Sequence, residues 1–305
     1  MLARSVGPPG DRIAGQGKTQ GSRVIPVIEA IEIPTAAGTF DALSSGEAGG
    51  REVLLLHGFP EAAIEWEFQL HALGGGGCHV VAPDQRGYSP GVRPDKVADY
   101  RLEELVGDVI AIADQLGWQR FDLVGHDWGA YVGWVAAADI PERIRSFTAV
   151  SLPHPAAFLR AMTEDEDQAQ RSQYFSLLRK PRVAERALLM DGGAGLRKIF
   201  EWKIDEERID NYVHRLAQPE ALTAALNWYR AMHLSGPTGP VSVPTLYVWS
   251  TDDSTVGSTA ALATEKYVTG PYRFEMLEEV SHWIPEQAPE ELTRLIMQHL
   301  LAHRT

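Results

Sequence analysis

Gly125-His126-Asp127-Trp128-Gly129 joins the apolar run FDLV to the small-residue stretch GAYVGWVAAA. The pattern glycine–any–nucleophile–any–glycine belongs to a sharp strand-to-helix turn that pushes its central side chain outward. Side chains at the two glycines would strike the neighbouring strand and helix. The central position usually carries serine; here it is Asp127. Taken alone, an aspartate before a helix also reads as an N-cap. Three other features supply what a nucleophile needs. His57-Gly58-Phe59-Pro60 closes the apolar run REVLLL, and the backbone N–H of Phe59, with that of Trp128, would hold a developing oxyanion. Ser281-His282-Trp283 lies near the C-terminus, and Asp252-Asp253 directly follows VPTLYVWS. The order nucleophile, acid, histidine is one in which such sets occur along a chain.

A carboxylate with a pKa near ~4 is ionised at neutral pH and needs no base to act as a nucleophile. It can attack an sp³ carbon and displace a leaving group, which leaves an alkyl ester on the enzyme. His282 would then activate water against the Asp127 carbonyl, with an acid from the 252–253 pair orienting its ring.

These residues need a scaffold that brings strand ends together. Residues 24–34 read as a strand and 40–44 as its partner across a turn around Ala37 and Gly38. Val53 to Leu56, HVVAPD (79–84), FDLVGHD (121–127) and VPTLYVWS (243–250) are short apolar runs closed by turn residues, as suits strands buried on both faces of a parallel sheet. Residues 102–116 and 129–138 carry helical patterning between them. Alternating strands and helices predict an α/β fold, a mostly parallel sheet flanked by helices. From 153 to 238 the rhythm stops: the stretch is charged and helical, opens after Pro153-His154-Pro155 and closes at Gly236-Pro237-Thr238-Gly239-Pro240. The expected division is a leader over 1–23, a core over 24–152 and 239–305, and an all-helical cap over 153–238. The GGGG at 74–77 has neither the strand context nor the lysine of a phosphate loop, and reads as a helix-ending turn.

Composition narrows the partners. The 305 residues carry a formal charge of -13, which argues against nucleic acid or an anionic membrane and suits a small neutral substrate. Cys78 is the only cysteine, so no intrachain disulfide forms and nothing requires an oxidising compartment. No apolar run suits a secretory signal or a spanning helix. The expectation is a cytoplasmic enzyme without cofactor or membrane partner, with a homodimer allowed. No histidine pair has metal-ligand spacing with supporting carboxylates, so no metal is expected. His126 reads as filler in the elbow, and His299 and His303 as residues of the last helix. His57 is expected to order its loop and, with Pro60 and Trp128, to lie beside the substrate. Trp66, Trp134 and Trp202 either line a cleft or pack.

HGFPE, DQRGYSPG, VGHDWGA, NWYR and SHW, in this order, resemble the epoxide hydrolases of the α/β-hydrolase fold, from about residue 24 to the C-terminus and least in the cap. The resemblance implies that Asp253, followed by Ser254-Thr255-Val256-Gly257, is the acid that orients His282. It also implies two cap tyrosines that give a proton to the opening epoxide, matching Tyr229 in NWYR and Tyr174, seven residues before Pro181. Tyr131 and Tyr212 stay structural. Haloalkane dehalogenases also use an elbow aspartate followed by tryptophan, but often carry asparagine where this chain has Phe59. A fluoroacetate-type dehalogenase would want an arginine where Tyr131 stands. A non-catalytic binding protein of the same fold would usually lack a catalytic residue, and every expected position is filled.

Overall fold

In the computed structural model, which describes residues 27–304, eight strands form one sheet in the order β1-β2-β4-β3-β5-β6-β7-β8. They are β1 (Glu29–Thr35), β2 (Gly38–Ser45), β3 (Arg51–Leu56), β4 (Cys78–Pro83), β5 (Phe121–His126), β6 (Ile144–Val150), β7 (Thr245–Ser250) and β8 (Tyr272–Leu277). The pairs β1–β2 and β2–β4 are antiparallel and all others parallel. Successive strand residues point to opposite faces. Leu54, Leu56, Val81 and Leu123 join one apolar cluster, and Val53, Leu55, Val80 and Val124 join the other. Being covered on both faces is what makes these strands continuous apolar runs.

Helices α1 (Glu67–Gly75), α2 (Leu102–Gln115) and α3 (Trp128–Asp139) fall between the first strands. On α2, Leu102, Leu105, Val106, Val109, Ile112 and Ala113 are buried, a spacing of three and four that places one stripe against the sheet. The glycine run ends α1 as expected, with Gly76 as its C-cap and Gly77 in a positive-φ conformation.

Between β6 and β7 the described chain is helical: α4 (Pro155–Glu164), α5 (Glu166–Arg171), α6 (Phe175–Leu178), α7 (Val183–Ile199), α8 (Glu206–Leu216) and α9 (Ala221–Ala231), with short 3₁₀ turns at Ser172–Tyr174 and Met232–Leu234. This excursion falls within the predicted 153–238. Helix α7 is broken: Met190 is extended, and Asp191, Gly192 and Gly193 have positive φ. After β7 come α10 (Ser258–Ala263), α11 (Ile284–Gln287) and α12 (Pro289–Ala302).

Two strands, β6 and β8, were not anticipated from sequence. The predicted first strand begins at residue 24, and its first three residues, like the predicted leader, lie outside the described residues. No helix among the described residues is long and apolar enough to cross a membrane.

Candidate active site

The turn between β5 and α3 holds Asp127 at φ 48 and ψ -118, a conformation an L-residue keeps only when its surroundings enforce it. Close packing does so here. A Cβ on Gly125 would lie 2.3 Å from the Gly129 carbonyl oxygen, and one on Gly129 would lie 2.1 Å from that of Leu56. On Gly58 it would meet the Asp127 Cβ at 2.7 Å, so the loop after β3 also requires glycine.

Asp127 is divided between two partners. The Phe59 N–H donates to Oδ1 at 3.0 Å, while Oδ2 lies 3.5 Å from His282 Nε2. Trp128 opens α3, so its N–H is one that no helical carbonyl accepts. On the far side of the imidazole, His282 Nδ1 lies 2.8 Å from Asp253 Oδ2. Asp253 Oδ1 accepts from the Thr255 N–H, the Thr255 hydroxyl and the Val256 N–H at 2.7, 2.7 and 2.9 Å. Asp253 is buried and Asp252 exposed, so of the two neighbours it is Asp253 that meets the histidine. Thr255, to which no role attaches from sequence, also places its hydroxyl 2.9 Å from His282 Nδ1.

The charges follow. Burial pushes the Asp127 carboxyl up, but His282, His126 and the Phe59 amide outweigh it and hold the group below the usual carboxylate range. Burial likewise opposes a charge on His282, yet Asp253 and Asp127 raise its imidazole to about 9. At neutral pH the resting site therefore holds an imidazolium between two carboxylates.

Beneath the elbow, His126 lies 3.0 Å from Glu61 Oε2 through Nδ1 and 3.0 Å from the His282 carbonyl through Nε2. The carbonyl can only accept, so Nε2 carries a proton, and despite burial Glu61 and Glu65 hold the imidazole well above its usual range. His126 is more than elbow filler: with Ser151, whose hydroxyl donates to the same carbonyl at 2.7 Å, it fixes the backbone of His282. Glu61, Glu65 and His126 place three donor atoms within 4.8 Å of one another. His126 itself supplies the cation among these carboxylates. Glu286 completes the group by accepting from the Tyr212 hydroxyl at 2.8 Å, the structural use expected of Tyr212. Burial and the neighbouring carboxyls push Glu61 and Glu286 up to about 8. Glu286 is far from Glu61 and Glu65 in sequence, and of the three only Glu61, in HGFPE, belongs to a motif.

A cavity of about 500 Å³ opens over Asp127 and His282. Tyr174 and Tyr229 line it, with Phe59 and Trp283, and Leu177, Leu188 and Ile199 supply apolar wall from the insertion. The two tyrosine rings lie 6.4 Å apart at 77°. Burial is the main reason both phenols titrate well above their ordinary value, so both keep their protons. NWYR has a clear division of labour. The Trp228 indole donates to the Arg86 carbonyl at 2.9 Å and docks α9 on the core, while Arg230 pairs with Glu185 at 2.8 Å.

Other expectations need correcting. His57 and Pro60 are buried and neither lines this cavity. His57 Nδ1–H donates to the Gly58 carbonyl at 2.9 Å and Nε2 accepts from the Gln85 N–H at 3.0 Å. That ring is a loop fastener with no free nitrogen for a substrate. Trp66 and Trp134 are core residues and Trp202 is exposed; none lines the cavity. Trp128 faces a second, smaller space beside Asp127. A separate cavity of about 510 Å³ lies where β3, β4 and β6 begin, at the end of the sheet away from Asp127. Its Arg51 and Arg145 are committed to Asp122.

The α/β hydrolase fold family model matches residues 52–289. Epoxide hydrolase 3 of Xenopus tropicalis is 31% identical over 282 residues, covering 87% of this chain and 76% of the relative. The chain belongs to the epoxide hydrolase family of α/β hydrolases. Epoxide hydrolase A of Mycobacterium tuberculosis is 30% identical over 306 residues, with 85% and 92% covered. Among solved structures, epoxide hydrolase A of Mycobacterium thermoresistibile superposes with a TM-score of 0.78 at 26% identity, covering 90% of this chain and 98% of that one. The inhibitor-bound Bacillus megaterium epoxide hydrolase gives 0.81 at 25%, with 88% and 99% covered.

Proposed function

We propose that the protein hydrolyses an epoxide to a vicinal diol through an ester on Asp127. The observation that carries this reading is a buried, ionised aspartate facing two protonated phenols across one cavity. Attack by Asp127 Oδ2 on a ring carbon breaks a carbon–oxygen bond. The departing alkoxide is too basic to leave unprotonated, and Tyr174 or Tyr229 gives it a proton. A halide would need no acid, so the phenol pair favours an epoxide over a haloalkane.

The ester has lost the negative charge that helped to hold the His282 proton. With only Asp253 beside it, His282 gives up that proton, which returns by way of solvent to the tyrosinate left by ring opening, and His282 becomes a base. It takes a proton from water as the water oxygen bonds to the Asp127 Cγ. Negative charge then develops on Oδ1, where the Phe59 N–H already points and the Trp128 N–H would join it. Collapse breaks the Cγ–Oδ2 bond and expels the diol with the old Oδ2, which takes the second water proton; the water oxygen stays in the carboxylate and His282 is again an imidazolium. Asp253 keeps the ring oriented throughout.

Single-turnover hydrolysis with excess enzyme in ¹⁸O-water tests the route. Label is expected in Asp127, found by peptide mass spectrometry, and not in the first diol released. Label in that diol alone would mean direct attack by water and would overturn the ester. Asp127→Ala is expected to lose all turnover.

A further inference from the structure

Two cavities meet at Asp127 and Tyr174, and they differ greatly in size. The larger, about 500 Å³, has the apolar wall described above and reaches exposed residues Lys198 and Glu201 at its rim. The smaller is about 20 Å³ and is bounded further by Trp128, Tyr131, Phe158, Leu159, Phe175 and Met232. About 10–15 Å³ of such space holds one water, so the smaller cavity admits a hydrogen or a methyl group and little else. Most of its wall is held firmly. Trp128 and Tyr131 stack with ring centres 5.4 Å apart, Phe175 packs edge-on to Tyr229 at 5.4 Å, and Trp128, Tyr131, Phe158 and Phe175 are all buried.

An epoxide carries substituents on two adjacent ring carbons. With one carbon against Asp127 and the ring oxygen directed to the tyrosines, the two sets of substituents diverge, and each needs its own space. We infer that the site takes epoxides with one long apolar arm and nothing larger than methyl on the other ring carbon: terminal alkyl epoxides rather than internal ones. This rests on the epoxide-opening reading and adds the shape of its substrate. The arm lies in the large cavity, and the small cavity excludes a second arm by contact with the apolar side chains that bound it.

Leu159 is 42% exposed and Met232 half-buried, so trimming both to alanine widens the small cavity at little cost to the core. The test compares two isomers of equal apolar content, 1,2-epoxyoctane and trans-4,5-epoxyoctane, on the full chain. The terminal isomer is expected to have a kcat/KM about 100-fold higher, since a filled pocket rejects added bulk strongly. In the Leu159→Ala, Met232→Ala double variant that ratio falls about tenfold, through a gain on the internal isomer. A ratio near one in the wild type, or one that does not move in the variant, overturns the inference.

Shape is also read without turnover, from quenching of tryptophan fluorescence by two isomeric amides that present a carbonyl in place of the ring oxygen. Octanamide is expected to bind about tenfold more tightly than N-propylpentanamide, a difference of about 1.4 kcal/mol. Equal affinities sink the inference even if epoxides react. If neither epoxide is hydrolysed, the proposed function falls, while the amide pair still decides whether the small cavity excludes a second arm.

Discussion

Asp127, Asp253 and His282 stand on loops at the carboxyl ends of β5, β7 and β8, whereas Tyr174 and Tyr229 arrive on an insertion that contributes no strand among the described residues. The two regions secure their residues by different means. On the sheet side, position is set by backbone: glycines that admit no Cβ around Asp127, amides that grip Asp253, and a carbonyl of His282 held by two donors. On the insertion side it is set by side chains reaching across. Trp228 meets Arg86, Arg208 meets the Ile64 carbonyl, and Arg215 meets Asp84. Backbone placement tolerates almost no substitution nearby but is indifferent to most side chains. Side-chain placement can be redrawn one residue at a time. The region that carries the proposed nucleophile is therefore the constrained one, and the region that shapes the cavity above it is the adjustable one.

Four substitutions probe that division, from the largest effect to the smallest. His282→Gln removes the base and leaves the nucleophile, so steady turnover is expected to fall by roughly 10³-fold or more while the covalent adduct accumulates on Asp127. Intact-protein mass spectrometry during turnover reads the adduct, and its absence would remove His282 from the second step. Tyr174→Phe and Tyr229→Phe each delete one hydroxyl. Each is expected to slow the opening step about 10–100-fold in stopped-flow measurements and to leave decay of a preformed ester nearly unchanged. Equal slowing of both steps would make the insertion a general support and not a proton donor.

The smallest effect concerns Glu286, where the two regions touch through Tyr212. Its carboxyl titrates about 8 when folded, against 4.5 unfolded. The folded protein therefore holds that proton longer, and stability falls as pH rises from 4.5 towards 8. Glu286→Gln removes this contribution, and thermal melts at pH 8.5 should then gain about 2–5 °C on the wild type relative to melts at pH 5.5. Parallel melting curves for the two proteins across that range would show that Glu286 carries no proton of consequence.

The sheet and the elbow were legible because burial on two faces leaves an unmistakable mark, an apolar run stopped by glycine. β6 hides its mark. Its sequence IRSFTAV places Arg145 and Ser146 inside the pattern, because both reach Asp122 on the neighbouring strand at 2.7 and 2.6 Å. β8 is an edge strand, half-buried along most of its length, and shows neither a clean run nor a clean alternation. Within the site, Asp127 and His282 stood out because their chemistry needs particular types in a particular order. Asp253 and the tyrosines needed the family pattern as well. Glu65 and Glu286 stayed invisible, since each is an ordinary glutamate until folding brings it beside His126 or Glu61. His57 orders its loop as its place in HGFPE suggests, but neither it nor Pro60 lines the cavity, because adjacency to a functional residue in sequence says nothing about which way a ring faces.

The break in α7 gives the large cavity a property of its own. Ala187 and Leu188 line it before the break, and Gly195, Lys198 and Ile199 after it. In an unbroken helix, adding one residue turns everything downstream by about 100°, so no insertion could be absorbed without rewriting the far wall. At residues 190–193 the backbone has already left helical angles, and two glycines there accept backbone angles that other residues avoid. Length can change at that point with both half-walls keeping their facing, which makes the break a seam along which the span of the cavity can be tailored.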